Sequence, residues 1–381
     1  MPRARRTVLP AQPCSTAVAL VWSALLLALA GCAGGGGPSS PPAERPAEVR
    51  ARIVSLLPTG VVDRQGWATD IHAAFVTQRL APDTESVCAV IAVTEQESGF
   101  VADPPVPRLG ALAREEIDRR TAAAGIPRLL VQGALLLRSP DGRSYGERID
   151  AARTERELSE LFESFIASVP LGRTLFGGHN PVRTGGPMQV SIAFAEREAE
   201  ARPYPYAVRG SLRDEVFTRR GGLYFGIAHL LGYAAPYERP IYRFADFNAG
   251  RYASRNAAWQ QAVTLASGVP LALDGDLLVP GAPLDRPGST EAAVRALGPR
   301  LGLGEAAIRR ALEQGDDASF ERTTLYRRVY ELAEQAEGRA LPRAALPQIQ
   351  LAGPKISRRL STEWFARRVD ERYRRCLARE A

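Results

Sequence analysis

Two glutamates, Glu95 and Glu97, stand two positions apart in the run TEQESGF, directly after the apolar stretch VCAVIAV. A helix built on that stretch is apolar on nearly every side and belongs in a core. Glu97 follows Val93 by four positions and Val90 by seven, so its side chain stands over an apolar line. Removing a carboxyl from water disfavours its charged form, and the resulting rise in pKa suits a general acid near neutrality. Gly99 then breaks the helix and leaves the carboxyl at a lip. Glu95, on a neighbouring line after Ile91 and Cys88, is the second choice for that role. The competing reading is a solvated acid at a helix C-terminus.

Further motifs follow in the chain. The loop GGPMQVS, residues 185–191, places Met188 and Gln189 among apolar neighbours and opens a short helix. GGLYFGIAHLLGY is a buried helix rich in small residues, YRFADFNAGRY contains Asn248 before Ala249 and Gly250, and FERTTLYRRVYEL contains Tyr326.

In this order the four segments resemble the lytic transglycosylases with a lysozyme-like catalytic domain. The resemblance implies a mainly α, lysozyme-like fold. It makes Glu97 the sole acid and base that cleaves the bond between N-acetylmuramic acid and N-acetylglucosamine in peptidoglycan, leaving 1,6-anhydro ends. Ser98, Met188, Gln189 and Asn248 would bind substrate, and Tyr326 would hydrogen-bond the glutamate. The pattern departs from the family at Pro187, at Phe247 and in the 89 positions from Glu97 to Gly186, which implies an insertion at about 101–180. Asp246, two positions before Asn248, is a further carboxylate able to activate water for hydrolysis. A different class also fits: a non-catalytic peptidoglycan-binding or envelope-scaffold lipoprotein that keeps the fold.

The elements that must position these residues are mostly helical. Period-3.6 spacing and strong helix formers predict helices near 47–57, 66–79, 84–98, 109–124, 153–168, 212–233, 255–267, 290–298, 304–314, 318–336 and 358–378. The 84–98 helix has Asp83 or Thr84 as its N-cap. Strand candidates are few: RLLVQGALLLRS near 128–139, and SYGERI after the turn-like PDG. In the last helix Leu360, Trp364, Val369, Tyr373 and Cys376 keep helical spacing. Arginines cover the remainder, for solvent or for an anionic surface.

The amino terminus reads as an export signal. Arg3, Arg5 and Arg6 precede an apolar run, residues 17–30, that is short for a membrane span. The stretch LLLALAGC resembles a bacterial lipoprotein signal, with residues 1–31 removed and Cys32 lipidated. Residues 32–46 then form a flexible tether of Gly, Ser and Pro that reaches ~20 Å on average. The folded domain spans 47–381. Ala33 after the lipidated cysteine resembles outer-membrane sorting, which would place the protein on the periplasmic face of the outer membrane.

Losing three arginines with the signal lowers the net charge from +7 to +4, too little to argue for nucleic acid. The three histidines, His72, His179 and His229, lack metal-ligand spacing, and His229 reads as a satisfied core residue. No Walker or dinucleotide fingerprint occurs, so no metal or organic cofactor is expected. Cys88 and Cys376 remain in the folded part. Export permits a bridge between them, and two separately buried thiols are the alternative.

Overall fold

The computed structural model describes residues 44–235, 237–351 and 360–380. The expected signal, Cys32 and most of the expected tether lie outside these residues. A compact unit runs from Pro46 to Ala381, and its described residues are mainly helical with two short antiparallel strand pairs.

At the centre is the helix Thr84–Glu97, in which residues 87–94 are all buried. Asp83 caps it by accepting from the Ser86 amide at 2.7 Å. Around it pack the helices Pro46–Leu56, Arg64–Gln78, Arg219–Leu231, Ile241–Ala249 and Thr362–Leu377, which share one hydrophobic core. A second core gathers Trp259, Phe320, Leu325, Val329 and Tyr330 from the helices Ala253–Ser267 and Thr324–Glu337 and the 3-10 turn Ala318–Arg322.

The last helix runs antiparallel to the central one. Thr84 meets Glu380, Cys88 meets Cys376 and Glu95 meets Arg372, so the partner number falls as the first number rises. Cys88 and Cys376 are joined in a disulfide with Cα atoms 5.5 Å apart. The arginines of the last helix are occupied: Arg367 pairs with Glu363, Arg368 with Glu371, Arg374 with Asp370 and Arg375 with Glu95. That is a neutralised flank, and it favours the solvent reading over the anionic-surface one.

Residues 101–180 form their own helical excursion around a small cluster of Tyr145, Ala152 and Leu161. Both strand candidates prove helical, as Arg128–Leu136 and Tyr145–Ala151. A short apolar run does not distinguish strand from helix by periodicity. In the second case the deciding signal is the capping box of Ser144 and Glu147, in which each side chain satisfies the other's backbone amide. The expected helix 212–233 is two helices, Leu212–Val216 and Arg219–Leu231. Thr218 caps the second through the Gly221 amide. The helix Ile192–Ala201, capped by Ser191, follows the Gly-Pro loop.

Candidate functional site

Glu97 occupies the last position of the central helix, where it is partly exposed yet crowded by protein. Among the described residues its carboxyl has no hydrogen bond and no ion pair. Burial alone pushes its carboxyl up to about 8. Glu95 is different. It lies against Arg372 and Arg375, at 3.6 and 3.2 Å, and is therefore an ion-pairing residue between two helices rather than a candidate acid.

Beyond Glu97 the chain turns sharply. Ser98 donates its hydroxyl to the Thr94 carbonyl at 3.2 Å, as a helix-terminal hydroxyl does, and Gly99 and Phe100 both take positive φ, 58° and 65°. For Phe100 this is an unusual backbone state, and it turns the ring inward against Trp67 at 5.2 Å. Seven described non-glycine residues have positive φ. Three fall in the motif segments: Phe100, Gln189 and Tyr252. Backbone conformations of this kind concentrate where a site over-determines them.

The loop with Gln189 is the tip of a hairpin in which Thr184 pairs with Ser191 and Gly185 with Val190. Gly186 at φ 74° permits the turn, and a Cβ there would lie 2.0 Å from the Val216 carbonyl. Met188 is fully buried, so it supports the loop from beneath and does not face a ligand. It seats on Gly226, and Pro187 seats on Gly222, which explains the small residues of that helix. Gln189 is partly exposed. Its amide donates back to the Gly186 carbonyl at 3.2 Å, and its Oε1 accepts from Thr184 at 3.4 Å.

Asn248 is exposed near the end of the helix Ile241–Ala249, and its Oδ1 accepts from the Thr362 hydroxyl at 2.8 Å. Thr362 begins the helix antiparallel to the one that ends at Glu97. The antiparallel register sets Glu97 opposite about residue 368, so Asn248 and Glu97 lie toward the same end of that pair, about two helical turns apart along the axis. Thr362 is a positioning residue with no signal in the sequence motif. The hairpin packs on the helix Arg219–Leu231, where Met188 seats on Gly226, and that helix also touches the helix Thr84–Glu97.

Tyr326 does not join them. It is buried in the second core, in edge-to-face contact with Phe320 and Tyr330, and makes no hydrogen bond to Glu97. Its helical spacing places it on the apolar face that packs on Ala253–Ser267. Replacement by Phe is expected to leave any activity within about twofold of the parent while costing about 1 kcal/mol of stability. Kinetics and denaturant melts on one preparation check both.

Asp246 is also structural. Its carboxylate accepts from the hydroxyls of Tyr233 (3.0 Å) and Tyr237 (2.6 Å) and from the amides of Tyr252 (3.0 Å) and Ser254 (2.7 Å). The two amides begin the helix Ala253–Ser267, so the acid lies at its positive end. Burial raises its pKa against these hydrogen bonds. With every donor directed at the carboxylate, Asp246→Asn turns an amide group toward donors and is expected to cost about 2–4 kcal/mol, read from urea denaturation.

His229 is only half satisfied. Its Nε2 meets the Phe247 carbonyl at 3.2 Å, whereas Nδ1 is buried without a partner. The ring lies between Phe194 and Phe247, and burial, aided by Arg251, lowers its pKa to about 4, so it is neutral at ordinary pH. Arg251 stacks over Phe194 and Tyr233. Among the described residues no group of three His, Cys, Asp or Glu side chains is placed to hold a metal ion. Two clefts, of about 230 and 390 Å³, lie by the excursion and do not include Glu97. Glu160 lines both.

The chain belongs to DUF1615, a family described as a protein of unknown function, which matches residues 60–379. It is 54% identical over 352 residues to the uncharacterized protein YaiW of Escherichia coli strain K12, covering 92% of this chain and 96% of that protein. No solved structure matches it. The family match spans the excursion at 101–180 as well as the helices around Glu97.

Proposed function

We propose that the protein is a lytic transglycosylase of the bacterial envelope, held to the outer membrane through lipid on Cys32 and acting on peptidoglycan with a lysozyme-like arrangement of helices. The observation that carries this reading is a single uncompensated carboxyl, Glu97, held largely protonated at neutral pH by burial at the end of the central helix. In the reaction its proton passes to the glycosidic oxygen and the bond from that oxygen to C1 breaks. The substrate's N-acetyl carbonyl supports the positive charge at C1. The Glu97 carboxylate then takes the proton of the C6 hydroxyl as O6 bonds to C1, which closes the 1,6-anhydro ring and restores the acid. No water is consumed.

Asp246 supports ring closure over hydrolysis, because its hydrogen bonds leave it no part in activating water. Exposed Asn248 and partly exposed Gln189 would hold the sugar chain. The position of Tyr326 in the other core favours a second reading, a non-catalytic peptidoglycan-binding lipoprotein. Incubation of purified sacculi with the mature protein separates the two. Soluble anhydro-muropeptides identified by mass support the enzyme. Reducing-end products indicate a hydrolase, and retention on sacculi without release indicates the binder.

A further inference from the structure

The helix Arg128–Leu136 has no buried residue although it is one of the most apolar in the chain. Leu129 is 78% exposed, Leu130 64%, Leu136 74% and the following Leu137 49%. At about 100° per residue, positions 129, 130, 133, 136 and 137 fall within roughly 120° of arc. They form one stripe, with Gly133 open to solvent at its centre. The opposite face, Val131, Ala134 and Leu135, is partly buried and rests on the helices Leu109–Ala123 and Tyr145–Ala151. A β-bridge from Arg138 to Ser144 fixes the exit. The fold therefore turns the leucine stripe to the surface.

Charge indicates what covers the stripe. Between Asp118 and Asp141 the chain has four arginines and no acid. Arg119 and Arg120 are bound to Glu116, whereas Arg128 and Arg138, before and after the stripe in the chain, form no ion pair among the described residues; Arg138 donates to the Gly142 carbonyl at 2.6 Å and lies within electrostatic reach of Glu147. Four leucines offer a few hundred Å² of surface, well short of the ~800 Å² per partner of a stable dimer. A short apolar face flanked by exposed cations fits an interface with hydrocarbon on one side and anionic headgroups beside it.

We propose that the helix Arg128–Leu136 with Leu137 docks on an anionic phospholipid bilayer, its leucines entering the headgroup boundary and Arg128 and Arg138 meeting lipid phosphates. The inference stands apart from the enzymatic reading and does not require the lipid anchor. For a tethered chain it would fix which side of the domain lies on the membrane.

The test uses protein lacking residues 1–31 and carrying Cys32→Ser, so that no acyl chain is present. Flotation is measured with vesicles of phosphatidylcholine alone and with phosphatidylglycerol added. The protein is expected to float with the anionic vesicles. Leu129→Glu/Leu136→Glu should lower its partition at least about tenfold, and Arg128→Glu/Arg138→Glu should abolish the preference for phosphatidylglycerol. All four positions are exposed, so an unchanged thermal midpoint shows that the variants fold. No flotation of the parent, or equal flotation of parent and variants, overturns the proposal. So does a concentration-dependent dimer that Leu136→Glu dissolves, which assigns the stripe to a second copy.

Discussion

Glu97→Gln is expected to reduce the release of anhydro-muropeptides by a factor of about 10²–10⁴, the range that a positioned general acid and base contributes. The same variant is expected to be more stable than its parent, and that pairing separates a functional acid from a structural one. Below the ordinary carboxyl value of 4.5 Glu97 is neutral in both folded and unfolded chains and costs nothing. Between 4.5 and about 8 the unfolded chain ionises while the folded one keeps its proton, so folding stability falls as pH rises. Above about 8 the cost levels off, at up to about 4 kcal/mol. Glutamine never ionises and escapes this loss. Urea melts should therefore show parent and variant alike near pH 4.5 and the variant ahead by a few kcal/mol at pH 8. The parent's activity should fall as pH rises through about 8, because its proton is the reagent for the first step. Parent-like activity in the variant removes Glu97 from the chemistry, and equal stability at pH 8 shows the carboxyl to be hydrated.

Much of this site was legible from residue order. The run of residues 87–93 specified a helix buried on all sides, and a glycine after the second glutamate specified where it stops. Most helices of both cores follow from period and caps in the same way, although the expected helix 212–233 divides at Thr218 and the helix Ile241–Ala249 was not expected. Two features were not legible. The first was partnership: Glu95 and Glu97 differ by two positions, and only the antiparallel approach of the last helix, with Arg372 and Arg375, separates the ion-paired acid from the uncompensated one. The second was membership of a core. Tyr326 matches a motif by spacing, but its helix packs on Ala253–Ser267, and tertiary contact decides its role. The excursion misled for a third reason, since Arg128–Leu136 is too short and too uniformly apolar for its period to be read.

The second large effect concerns the other end of the central helix. The disulfide Cys88–Cys376 closes a loop of 288 residues, for which the chain-entropy relation gives about 5–6 kcal/mol and native bridges commonly deliver 2–5. Cys88→Ala/Cys376→Ala is expected to lower stability by about 3–5 kcal/mol. Reducing agent should lower the melting temperature of the parent and leave that variant unmoved. Both sulfurs are buried, so part of the loss reflects packing, and a reduced parent falling less than the double variant would measure that part. The bridge and the buried acid are nine residues apart on one helix, about 13 Å, far enough for their effects to add. They are also similar in size and opposite in sign at alkaline pH. A protein with both cysteines replaced and Glu97→Gln should therefore melt near the parent at pH 8, yet well below it at pH 4.5, where the acid costs nothing and only the missing bridge is felt. A triple variant whose deficit is the same at both pH values would sever the link between the covalent clasp and the strained carboxyl that it offsets.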